Sequence, residues 1–141
     1  MGESEAGPSR ARGALRGLVA WSYVLSALLV LPLSVDVLLH ELGLISGSLL
    51  PVPELFGWLT GVLIFLGWPF ALAIVWFFRR DRVLVLPAVL FLAAEMIVVV
   101  WFQVAPTSRL LESITALGGA VFGVSAIRAW VLVRRDRHES P

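Results

Sequence analysis

Glu95 stands near the middle of an apolar run, residues 83–104, with Leu92, Ala93 and Ala94 before it and Met96, Ile97 and Val98 after it. A run of this length can cross a hydrocarbon core of about 30 Å. A carboxylate at that depth costs several kcal/mol unless it is partnered. Glu95 should therefore face other helices and carry its proton. Such a group can relay protons or hold an ion. It can also do no more than hydrogen-bond a neighbouring helix and fix the packing, which is the plainer expectation for an acid with no second acid at its depth. Laying the first apolar run beside the third brings Ser26 and Tyr23 to the level of Glu95. These three residues form the candidate ion or proton site. Arg128 is the one cation within a span, but it lies roughly seven residues nearer the opposite face, or about 10 Å.

Asp36, His40 and Glu41 form a second constellation. Asp36 and His40 are one helical turn apart and share a face, so they can supply two metal ligands. Further ligands would have to come from Glu54 or Glu112. With one histidine and no His-Glu-x-x-His spacing, a wetted polar face is the simpler expectation, and no metal set is predicted. The same trio suits acid–base chemistry at a membrane surface. Ser34 and Ser46 are nearby hydroxyls, but Gly-x-Ser-x-Gly does not occur, so a serine nucleophile on an elbow is not indicated. Cysteine is absent, which removes disulfides, thiolate metal sites, iron–sulfur clusters and cysteine nucleophiles. No cofactor is implied.

The elements that must carry these residues are apolar. Of 141 residues, 59% are hydrophobic and 15% charged, whereas soluble domains are about 25% charged. Mean hydropathy is +0.92. A soluble chain of this size has too little interior to hide so much apolar surface, so lipid must be the solvent for much of it. The net charge of +1 gives no bulk attraction for nucleic acid. The expected fold is all-α: an integral membrane bundle of four transmembrane helices, with a short interfacial or re-entrant helical segment between helices 1 and 2.

In chain order, residues 1–16 are polar and rich in Gly, Ser and charge, and are expected to be a disordered cytoplasmic tail. Residues 17–133 form the transmembrane domain, with spans at about 17–33, 55–78, 83–104 and 110–133. The first resembles a signal peptide in outline, but lacks a small-x-small cleavage site near Pro32–Ser34 and is expected to stay as an anchor. Helix can continue past Pro32 with a kink, to about Leu42. The cluster Gly43, Ser46, Gly47 and Ser48, followed by Pro51 and Pro53, breaks it. Pro106 should stop the third helix, and Thr107 or Ser108 should cap the fourth. Residues 134–141 are a second cytoplasmic tail.

Arginine sets the orientation. Arg79, Arg80 and Arg82 crowd one four-residue turn, Arg134, Arg135 and Arg137 follow the last span, and Arg10, Arg12 and Arg16 precede the first. These nine of eleven basic residues all fall inside if both termini are cytoplasmic. The inner arginines are read as topology signals rather than as an anionic-lipid patch. Trp58 and Trp76 sit near opposite ends of the second span, as interfacial anchors should. Gly57/Gly61 and Gly119/Gly123 are each four apart, a spacing that lets helix backbones approach closely in lipid. They are expected to pack helices within one chain, with homo-oligomerisation or docking to another membrane protein as the alternative.

The expected protein is a small polytopic membrane protein without catalysis of its own, a subunit, scaffold or accessory of a membrane complex. A proton-coupled transporter or channel using Glu95 is the second expectation. A membrane-embedded enzyme using Asp36, His40 and Glu41 is the third. With no organellar targeting signal in view, the plasma membrane of a prokaryote is the expected location.

Overall fold

The computed structural model describes residues 6–105 and 109–139. Four helices follow one another: α1 (Ala6–Glu41), α2 (Pro53–Phe77), α3 (Arg82–Val104) and α4 (Arg109–Glu139). All four are long and apolar enough to cross a membrane. Among the described residues there is no strand.

The first helix differs from the expected span at its start and agrees with the expected continuation past Pro32 at its end. It runs for 36 residues, so residues 6–16 are helical rather than an irregular tail. Ala6, Ala11, Ala14 and the intervening arginines are good helix formers, and Arg16 is held by partners on two other elements. At the other end α1 continues through Pro32 to Glu41. The proline removes one backbone hydrogen bond, but the flanking apolar residues keep their packing against α4. Consequently there is no separate interfacial or re-entrant helix before α2. Of the residues expected to form it, 34–53, residues 34–41 are the last turns of α1 and 42–52 are turns and bends. The C-terminal tail also differs, because α4 stays helical to Glu139.

Gly43 ends α1. Its φ is 69°, a conformation that glycine adopts without a Cβ penalty. The amide of Leu44 donates to the carbonyl of Leu39 at 3.0 Å, and that of Gly43 to His40 at 3.0 Å. This is the paired hydrogen-bond pattern of a Schellman cap. Residues 42–52 then run as turns and bends until Pro53 starts α2, a helix position where a missing N–H removes nothing. Asp81 caps α3, accepting from the Val83 amide at 3.2 Å. The expected stop at Pro106 and cap at Thr107 or Ser108 lie outside the described residues.

The bundle is organised around α1 and α4, which pack along most of their length. α3 packs on α4, and α2 lies more lightly on α3 and α1. The contact is close because the facing residues are small. Ala20 and Ala27 of α1 and Ala126 and Ala129 of α4 are all buried in one core cluster. A methyl group added at Gly119 would overlap Val30 and Ser34, and one at Gly123 would overlap Leu31. In lipid, where burying apolar surface gives helices little drive to associate, this kind of backbone approach is what holds a pair together. Much of the outer surface is large and apolar, including Phe65 at 80% exposure and Trp76 at 75%, as expected for a surface that lipid covers.

Candidate functional site

The two ends of the bundle differ in chemistry. One holds the start of α1, the α2–α3 turn and the end of α4. Here Arg16 donates to Asp81 at 2.8 Å and to Asp136 at 3.1 Å, and Arg137 donates to the Gly13 carbonyl at 2.9 Å. A single arginine thus ties three arginine-bearing segments together. Asp81 and Asp136, which look in the sequence like interruptions of basic clusters, are the groups that let those clusters meet. Arg79, Arg80, Arg82, Arg134, Arg135 and Arg137 are exposed. The Arg134 guanidinium lies 5.3 Å from the Trp130 ring centre, and Trp130 meets Trp21 edge-on at 5.7 Å.

Toward the far end, a cavity of about 350 Å³ lies between all four helices. Its floor is Val30 with Phe91 and Phe122, whose rings are 5.5 Å apart. Tyr23 backs Phe122 at 6.4 Å. The walls are Leu33, Ser34 and Val37 from α1, Thr60 and Ile64 from α2, Ala94, Glu95 and Val98 from α3, and Glu112, Thr115 and Gly118 from α4, among others. Glu95 therefore lines an interior space, as the cost of exposing a carboxyl to hydrocarbon requires.

Its neighbours are not the expected ones. The Tyr23 hydroxyl donates to the carbonyl of Leu84, and the Ser26 hydroxyl to that of Ser22. Neither residue lines the cavity with Glu95. Tyr23 is level with Leu84, and eleven residues further along each helix Ser34 is level with Glu95. The expected depth match fails because a first span centred on residues 17–33 leaves out the turns beyond Pro32. Ser34 is buried. Thr60 is also buried, and among the described residues its hydroxyl has no hydrogen-bond partner.

The cavity also contains a second acid. Ala94 faces Gly118 and Phe91 faces Phe122, which sets the register of α3 on α4. Glu112 then stands about six residues, or ~9 Å, nearer the far end than Glu95. Glu112 was legible in principle. With Thr115, Ala116 and Gly119 it forms a polar and small-residue stripe at helical spacing. Arg128 does not line the cavity.

Asp36, His40 and Glu41 do not converge on a site. Asp36 accepts from the Leu49 amide at 2.7 Å and from the Ser48 hydroxyl at 3.0 Å. It fastens the 42–52 connection onto α1. His40 is exposed. Among the described residues no group of three or more His, Asp or Glu side chains is placed to hold a metal.

Comparison with known proteins yields no match to a family model, a curated protein or a solved structure.

Proposed function

We propose that this chain is a multi-pass protein of the plasma membrane with both termini cytoplasmic, serving as a non-catalytic subunit or accessory of a membrane complex. The observation that carries this is the state of α2. Among the described residues, a methyl group added at Gly57 or Gly61 would meet nothing within 4 Å, and Trp58 and Phe65 near them are exposed. A helix with small residues at this spacing and no partner for them among the described residues is suited to pack on another transmembrane helix. The test is gentle extraction from the native membrane, native-size measurement and identification of co-purifying chains. A stoichiometric, different partner is the expected outcome. A homogeneous species of this chain alone would remove the subunit role.

A proton-coupled carrier is a second proposal, favoured by one observation: Glu95 and Glu112 share a cavity between four helices. The aromatic floor argues against an open pore in this conformation. Its test is dissipation of a pH gradient in proteoliposomes, expected to disappear in Glu95→Gln.

A further inference from the structure

We infer that the four-helix cavity binds a small lipophilic amine, with the ammonium group on Glu95 and the apolar body against Phe91 and Phe122. The inference deepens the carrier proposal and rests on its cavity, but not on proton movement.

Three features define the ligand. The wall is largely apolar, and a volume of about 350 Å³ is at the lower end of the range for small-molecule sites. The ionisable groups on the wall are Glu95 and Glu112, with no arginine or histidine among the lining residues. A ligand with an apolar body and one positive charge satisfies both conditions, whereas an anion would meet two acids and no cation. The third feature is Thr60. The residue is 9% exposed and, among the described residues, its hydroxyl lacks a partner. Buried hydroxyls are ordinarily satisfied; this one is covered by its neighbours and meets a bound donor once the Thr60 side chain turns about χ1 into the cavity that the residue lines. An N–H group is such a donor and a hydrocarbon chain is not.

The two acids have different parts. Glu112 is exposed and Glu95 half-buried. Glu112 stands at the mouth, where it raises the local concentration of cations. Glu95, ~9 Å deeper, is where solvent is scarce and a charge-assisted hydrogen bond is strong. The aromatic floor then offers ring faces and edges to the apolar body.

The test uses the purified full chain in nanodiscs of zwitterionic lipid, with empty discs as background, and 1-naphthylmethylamine as the probe. Equilibrium dialysis should give saturable binding of one amine per chain. The neutral 1-naphthylmethanol should bind much more weakly. Glu95→Gln should weaken amine binding on the order of tenfold. Thr60→Val keeps the shape of the side chain and removes an oxygen that has no partner among the described residues, so folding is not at risk. It should weaken the amine by about threefold and leave the alcohol unchanged. No saturable binding would overturn the inference. So would equal binding of amine and alcohol, which would mark an acyl-chain pocket, or unchanged affinity in both variants. Saturable, Glu95-dependent binding without loss of a pH gradient would keep this site and remove the carrier proposal.

Discussion

α4 and α2 carry the same small-residue spacing, Gly119/Gly123 and Gly57/Gly61. On α4 both glycines press on α1, and a single added methyl group would collide with Val30, Ser34 or Leu31. On α2 a methyl group added at either glycine would meet nothing within 4 Å among the described residues. α4 is thus a helix whose close packing is already used within the chain, and α2 one whose packing surface is still open. Spacing alone makes a helix capable of close approach. Which helix it approaches depends on the rotation and position of the whole segment. α2 is tied in mainly elsewhere, by the Gly67 backbone against Phe91 and by the turn after it, where Asp81 pairs with Arg16.

The comparison can be broken by substitution. Gly123→Val should have the largest effect, a loss of about 1–3 kcal/mol from overpacking against Leu31, read by reversible unfolding in mixed micelles. An unchanged stability would mean that the α1–α4 contact is not close. Asp81→Ala should follow, at about 1–2 kcal/mol. It removes both the α3 cap and a partly buried ion pair, and should show as faster amide exchange in the α2–α3 turn. Gly57→Ala and Gly61→Ala should change the stability of the isolated chain least, within about 0.5 kcal/mol. They should nevertheless reduce recovery of a co-purifying partner. Destabilisation equal to that of Gly123→Val would show that α2 packs within the chain after all.

The four helices, their order and the confinement of Glu95 to the interior were legible from residue type alone. The partners of Glu95 were not. A first span centred on about residues 17–33 levels Tyr23 and Ser26 with Glu95. The helix passes through Pro32 and runs on to Glu41, as its apolar pattern allows, and it is Ser34 in this continuation that stands level with Glu95; Ser34 and Thr60 share the cavity with Glu95. Helical spacing groups Asp36 with His40, but the length of the following connection brings Ser48 and Leu49 back onto Asp36 instead.

Hydropathy and the placement of arginine are local properties, so the sequence by itself determined four membrane-compatible helices and which of their ends are alike. Which face of each helix turns inward was decided only by tertiary structure. In water an amphipathic stripe announces the buried face. In a bilayer both lipid and protein interior are apolar, and Phe65 on the outside is no less hydrophobic than Phe122 within. Packing then depends on shape, on where a glycine or alanine lets two backbones meet. That fit between surfaces separated the two glycine pairs and placed Glu95, Glu112 and Thr60 around one cavity.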